Sequence, residues 1–346
     1  MTTNQGNRLQ ELLHQHLRPL VKDIDEQGKY PGDLVKLLGQ AGYFSVGPAE
    51  NLKLIRDVAT VCGSTAFVVW CQAAAISFVY HGNSELLKRE LLPALLSGEV
   101  AGGTGISNAM KFYAGMENLR LNGERTSSGY RIEGTLPFVS NLGPDAWFGV
   151  LFQNGETQRG MAMAASGLVG LTRKEVDGFL GLNGTATFSC QFQHVEIPES
   201  YILTDNADEL IAKIRPSFLL TQTGVALGVT QASLNSMFAL QAKQKGANSF
   251  LNHQPEGLQS RLERLTERVE RLAEHPMATK EYFKEVVKAR LDGAYLALDA
   301  AQSEMMHAGA AGYVAGSSTS RRLRESLFLT VVTPAVKQLE KMLQKL

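Results

Sequence analysis

Cysteine is scarce in this chain: Cys62, Cys71 and Cys190 are all it has in 346 residues. They form an odd set without CxxC spacing, so neither a disulfide framework nor a cysteine zinc site is expected. An excess of one charge is missing too. Lys plus Arg and Asp plus Glu each number 34, and a formal net charge of zero excludes a global attraction for nucleic acid or an acidic membrane. No long run of Lys and Arg occurs. A long hydrophobic run is also lacking: the most apolar stretch, residues 65–80, falls short of the roughly 20 residues of a membrane span and carries Gln72. It reads as a buried helix. The polar N-terminus lacks the apolar centre of a secretory signal, and there are no repeats or low-complexity linkers. These absences predict a soluble, cytoplasmic protein without a nucleic-acid partner. What is present is enough apolar side chain, 44%, for a sizeable core. At roughly 100–200 residues per domain, the length suggests two or three domains.

The texture of the chain changes twice. Helical periodicity covers 9–27 with Gly28 as a stop, 33–41 closed by Gly42, 52–61, 65–80 and a short helix from Glu85. From Val100 to about Ile202 glycine becomes dense. Short alternating runs appear at 117–122, 130–133, 146–152 and 186–197, with turns at Ser128-Gly129 and Asn154-Gly155. Helical periodicity returns over 215–245, 255–273, 279–306 and 320–345. The expected organisation is α+β: an N-terminal helical domain (1–99), a central antiparallel β domain (100–204) and a C-terminal helical bundle (205–346).

Two segments carry chemistry. The stretch Gly129-Tyr130-Arg131-Ile132-Glu133-Gly134-Thr135-Leu136-Pro137-Phe138-Val139-Ser140-Asn141 reads as a hairpin strand ending in an aromatic-x-hydroxyl-Asn step. Such a step can set a ring and a hydroxyl beside a planar cofactor. The stretch Ala101-Gly102-Gly103-Thr104-Gly105-Ile106-Ser107-Asn108 is a glycine-rich turn whose amides could approach an anion and whose hydroxyls add donors. An ordinary helix-to-strand connection would use the same residues. His14 and His16 do not share a helix face, so a metal site there is not expected. The alternating Arg and Glu of 261–274 describe a solvated helix face or a subunit contact.

The first of these segments resembles the "DGYxINGxKxWITN" motif of the acyl-CoA dehydrogenase superfamily. The likeness extends from Asp25-Glu26-Gln27-Gly28 to Gly42-Tyr43, through Leu92-Pro93-Ala94-Leu95-Leu96-Ser97-Gly98-Glu99, to Val195-Glu196-Ile197-Pro198 and Arg215-Pro216. The resemblance implies that family's fold, bound FAD, and a homodimer or homotetramer. It implies Thr104, Gly105 and Ser107 as flavin or phosphate contacts, Phe138 packing on the isoalloxazine, and Ser140 hydrogen-bonding its N5. Arg215 becomes a candidate active-site cation.

The family's catalytic glutamate has no counterpart. Counting from Arg324, Thr333 falls at its place, and Ile214 occupies the alternative place. Glu304 and Glu325 are the remaining carboxylates near the expected pocket, so they stand as candidate bases. Reduced-flavin-dependent monooxygenases of the same superfamily lack that glutamate and carry a histidine, where this chain has Val332; the nearest imidazole is His307. The family's segment that reaches the flavin diphosphate is replaced at about 246–253, and its glycine-rich "QxxGGxGY" segment survives only as Ala308-Gly309-Ala310-Ala311-Gly312-Tyr313. Three functions stay open. They are an FAD-dependent oxidoreductase passing hydride from an acyl thioester to N5, a reduced-flavin monooxygenase, and a non-catalytic binding or structural member.

Overall fold

The computed structural model describes residues 3–243 and 246–346. Six helices come first: α1 (Thr3–Leu12), α2 (Val21–Glu26), α3 (Gly32–Gln40), α4 (Pro48–Ala59), α5 (Gly63–His81) and α6 (Glu85–Leu96). The continuous helix expected over 9–27 is interrupted by a π-turn at Leu13–Leu17 and a 3-10 turn at Arg18–Leu20. Pro19 lies in that interruption; it has no amide to donate and its ring clashes with the turn before it. The chain leaves α2 at Gly28, where φ is +69°, a left-handed value that costs glycine little.

The middle of the chain gives β1 (Gly102–Thr104), a short helix α7 (Ser107–Tyr113), then β2 (Leu121–Arg125), β3 (Gly129–Val139), β4 (Trp147–Asn154), β5 (Gln158–Ala165), β6 (Leu171–Glu175), β7 (Phe188–Pro198) and β8 (Ile202–Thr204). They form one eight-stranded sheet ordered β6-β7-β3-β2-β4-β5-β8, with β1 joined to β4. Most ladders are antiparallel, as expected, but β1 and β2 both run parallel to β4. The sheet is therefore mixed.

Strand β5 escaped the alternation rule for a physical reason. Its Gly160–Ala164 stretch is buried throughout, because both faces of the strand are covered. Met161 and Met163 join the core shared with the helices, while Ala162 and Ala164 join the separate core on the other face of the sheet.

The remaining helices are α8 (Ala207–Lys243), α9 (Pro255–Glu274), α10 (Lys280–Ala308), α11 (Ala310–Tyr313), α12 (Ser318–Val331) and α13 (Val336–Lys345). The end expected for the long helix at Lys245 lies outside the described residues. The single helix expected over 320–345 is two, parted at 332–335. Pro334 sits in the gap, and the residue before a proline is pushed out of the helical region. The apolar helix α5 lies inside the molecule, packed on α4, α6, α8 and β1. A helix apolar on all sides needs such surroundings.

Helices α4 and α8 touch backbone to backbone. A Cβ at Gly228 would stand 2.2 Å from the Arg56 carbonyl oxygen and 2.4 Å from the Ala59 Cβ. Gly228→Ala is expected to lower stability by about 1–3 kcal/mol through overpacking. In α9, Gly257 has nothing within 4 Å of its would-be Cβ, so Gly257→Ala should stabilise by about 0.5–1 kcal/mol. Denaturant unfolding of the two variants checks the contrast. Equal effects would mean that the α4–α8 contact is not the tight one.

Candidate active site

A cleft of about 480 Å³ opens between α5, the end of β3, the loop through Phe179–Leu182 and the end of α12. Phe67 and Trp70 of α5 form its inner wall, with their rings stacked at 5.1 Å and Phe67 meeting Phe328 of α12 edge-on at 4.9 Å. Four exposed large apolar side chains, Phe138, Leu180, Leu327 and Val331, border the opening.

The end of β3 is fixed by its asparagine. Asn141 is fully buried and adopts φ +63°, a left-handed conformation that asparagine tolerates better than most residues. Its Nδ2 donates to the Gly102 carbonyl at 2.8 Å and to Gln72 Oε1 at 3.3 Å, and its Oδ1 accepts from the Tyr30 hydroxyl at 2.6 Å. Gln72, the amide within the apolar run, is fully satisfied. It donates to the Leu95 and Val100 carbonyls and accepts from the Gly102 amide. These bonds tie α5, β1 and the end of β3 together where Phe138 and Ser140 enter the cleft.

All five expected cofactor contacts, Thr104, Gly105, Ser107, Phe138 and Ser140, line the cleft. Gly105 does not offer its amide there: it donates to the Gly149 carbonyl at 2.9 Å, and a Cβ would lie 2.5 Å from that oxygen. The glycine serves the close approach of β1 to β4. Thr104 lies on buried Cys71, 3.9 Å from its sulfur, and burial pushes that thiol up to about 12, so it stays neutral. Thr185 and Thr187, which the sequence did not single out, stand beside Ser140. Ser140 Oγ is 2.8 Å from Thr187 Oγ1, which is 2.9 Å from Thr185 Oγ1. A half-exposed ring with a row of hydroxyls at its side suits a planar group with an apolar face and a polar edge.

Charge gathers at one end of the cleft. Glu117 lies 2.9 Å from Lys111 Nζ and 3.6 Å from Arg120 Nε, and accepts from Asn108 Nδ2 at 3.3 Å. The bond from Lys111 holds its carboxyl below the ordinary range, against the pull of burial. Glu117 is the one acidic residue lining the cleft among the described residues. At another edge Arg324 is taken by Asp25 through two bonds of 2.7 and 2.6 Å.

The three candidate catalytic residues lie outside the lining. Arg215, on α8, places its guanidinium 4.0 Å from the centroid of the Phe283 ring. Glu304, on α10, is gripped by Arg322 at both oxygens and accepts from Thr319 Oγ1 at 2.8 Å. Glu325, on α12, accepts from the Gly63 amide at 3.0 Å, with Arg321 at 3.5 Å. Burial pushes the Glu325 carboxyl up, and Arg321 only partly offsets that. Their partners make both carboxylates structural. Thr333 and Val332 do line the cleft; His307, bonded through Nε2 to the His253 carbonyl at 3.0 Å, does not.

The layering of helices, sheet and helices around this cleft defines an acyl-CoA dehydrogenase fold. Residues 6–99 match the family model "Acyl-CoA dehydrogenase, N-terminal domain". The short-chain specific acyl-CoA dehydrogenase of Clostridium acetobutylicum is 21% identical, covering 92% of this chain and 90% of its own. Bos taurus mitochondrial isovaleryl-CoA dehydrogenase is 24% identical over 65% of this chain and 58% of its own. The structure of butyryl-CoA dehydrogenase from Megasphaera elsdenii superposes with a TM-score of 0.88 at 15% identity, covering 100% of this chain and 98% of that one. A structure of PigA with FAD and proline gives 0.86 at 13% identity over 100% and 97%. Residues 6–99 therefore carry the pattern of that N-terminal domain, and the chain as a whole is similar to proteins of the acyl-CoA dehydrogenase superfamily.

Glu304→Gln would leave Arg322 buried without its counter-charge, a loss of about 3–5 kcal/mol. Burial raises the Glu304 carboxyl, but the bonds from Arg322 win and hold it below its ordinary value. The pair's contribution is therefore complete above the unfolded carboxylate pKa of about 4.3 and is lost as pH falls through the lower folded value. Thermal unfolding across that range should show an acid-side decline in the native protein that is shallower in the variant. Parallel curves would disprove the assignment.

Proposed function

We propose that the protein is a flavin-dependent oxidoreductase that binds FAD with its isoalloxazine in the cleft, against Phe138 and Ser140. The observation that carries this reading is Phe138, a strand phenylalanine left 54% exposed beside a row of hydroxyls in a mainly apolar cleft. A flat ring covers such a side chain, and its polar edge takes the hydroxyls. Bound FAD would supply a two-electron acceptor and, once reduced, an oxygen-reactive donor. The residues of the chain orient and enclose it. Phe138 packs on its face, Ser140 meets its edge, and Phe67, Trp70 and Phe328 keep water from the inner wall. Lys111 and Arg120 favour an anionic group at the cleft's charged end.

On this reading the substrate is an acyl thioester or a related small molecule, the class named for the curated relatives. The division into 1–99, 100–204 and 205–346, a homodimeric or homotetrameric state and a cytoplasmic location belong to the same proposal. One observation favours a second reaction. Removing an α-proton needs a base within hydrogen-bond reach, and Glu117 is already held by Lys111, Arg120 and Asn108. The expected base position carries Thr333. A reduced-flavin-dependent monooxygenase needs no such carboxylate.

Visible absorption after incubation with FAD and gel filtration tests the shared part. A retained band, shifted from that of free FAD, is expected, and Phe138→Ala should weaken retention about tenfold. Anaerobic bleaching by an acyl-CoA would select hydride transfer. Product that requires both oxygen and supplied reduced flavin would select the monooxygenase. A protein that retains neither oxidised nor reduced FAD would defeat both and leave a non-catalytic binding role.

A further inference from the structure

The hydroxyl row beside Phe138 has a direction. Thr185 Oγ1 donates to the Leu182 carbonyl at 2.8 Å, and a carbonyl only accepts. A hydroxyl carries one proton and two lone pairs, so Thr185 has none left for Thr187. At their 2.9 Å contact it is Thr187 that donates. Its proton is then spent as well, and the 2.8 Å contact between Ser140 and Thr187 uses the proton of Ser140. The cleft end of the chain, Ser140 Oγ, is left with lone pairs alone.

The row is built into the fold. Thr185 and Thr187 are buried, at 3% and 6% exposure, where water competes little for their bonds. The loop that delivers them is bent by two non-glycine residues in left-handed conformations, Leu182 at φ +65° and Ala186 at φ +44°. Strain of this kind persists where the surroundings over-determine it. Here the Asn141 amide donates to the Thr185 carbonyl and the Leu142 amide to the Ala186 carbonyl, fastening the loop to the end of β3.

We infer that Ser140 acts in the cleft as a hydrogen-bond acceptor, held in that role by Thr187 and Thr185, and that it selects a ligand presenting an N–H or O–H there. This rests on the flavin reading above. Oxidised flavin presents N5 as an acceptor, whereas reduced flavin carries a hydrogen on N5. Ser140 therefore favours the reduced ring, and Thr187 and Thr185, nearly buried in the cleft wall, are positioning residues that set the flavin's potential through Ser140.

The test compares binding of oxidised FAD and of dithionite-reduced FAD to the native protein and to Thr187→Val and Thr185→Val, together with the midpoint potential by dye equilibration. Thr187→Val frees the Ser140 proton to turn into the cleft. The ratio of affinities, reduced over oxidised, should fall about tenfold, the worth of one hydrogen bond reversed. That equals a potential about 30 mV more negative for a two-electron couple. Thr185→Val releases only the far end of the row and should shift the ratio the same way by less. A packing defect alone would weaken both forms equally and leave the ratio unchanged. Retained flavin with an unmoved ratio in both variants, or a positive shift, overturns the relay and leaves the flavin reading intact. A native protein that retains neither form overturns that reading and this inference with it. If Thr187→Val does not fold, the direction of the shift in Thr185→Val decides.

Discussion

Helix α12 is held in place by its charges, and the cleft depends on that helix. Within five positions Arg321, Arg322, Arg324 and Glu325 each reach a different part of the molecule. Arg321 donates to the Val61 carbonyl, Arg322 grips Glu304 on α10, Arg324 takes Asp25 on α2, and Glu325 accepts from the first amide of α5. The last contact places a carboxylate at the positive end of a long helix, where the dipole favours it. It also leaves no room for a side chain on Gly63, whose Cβ would lie 2.8 Å from the Glu325 carboxyl carbon. A buried ion pair adds little net stability, but losing one partner strands the other in a poor solvent. Such pairs make a geometry hard to deform. Leu327, Phe328 and Val331 follow directly on this helix and form one wall of the cleft.

The far end of α12 is fixed differently. Its last carbonyls have no helical partners, and no glycine closes it. Arg290, fully buried on α10, donates to the Leu329 carbonyl at 3.0 Å and to Gln222 Oε1 at 2.7 Å, while Gln222 donates on to the Thr333 carbonyl at 3.3 Å. One guanidinium nitrogen of Arg290 has no acceptor, and burial draws its pKa down to about 10. Leaving a buried guanidinium without a carboxylate costs stability. The return is a helix end and the first residues beyond it, 330–333, whose backbone is anchored from the core on both sides while their side chains line the cleft.

How much of this was legible in the sequence follows from the range of each interaction. The placement of Phe138 and Ser140 at the cleft was readable because its signal is local: a strand period, a turn at Gly129 and a step of fixed spacing. Thr187 was not, because it reaches Ser140 across 47 positions, and only the pairing of Val139 with Phe188 sets the two side by side. In sequence, Ala186 and Thr187 read only as the start of the alternating run 186–197, and nothing marks Thr185. Glu304 and Glu325 show the converse. Their positions along the chain were right for the region, but what they do is decided by Arg322 and by the Gly63 amide. The break at Pro334 was hidden by helical periodicity on both sides of it.

The electrostatics of the cleft follow from these anchors. Arg324 and Glu117 are already engaged, so neither is an unattached charge facing a ligand, and the thiol beneath Thr104 is neutral. Away from the charged end formed by Lys111, Glu117 and Arg120, the lining is mainly neutral: aromatic rings, aliphatic branches and a row of hydroxyls. In such a low-dielectric space the orientation of one hydroxyl weighs more than it would in water. Thr185 and Thr187 hold that orientation from the cleft wall, where they are nearly buried, so it is set before any ligand arrives. Preorganised polarity of this kind needs no reorganisation when charge or hydrogen moves beside it. In this cleft the discrimination between ligand states therefore rests on the backbone carbonyl of Leu182, to which the whole row is finally tied.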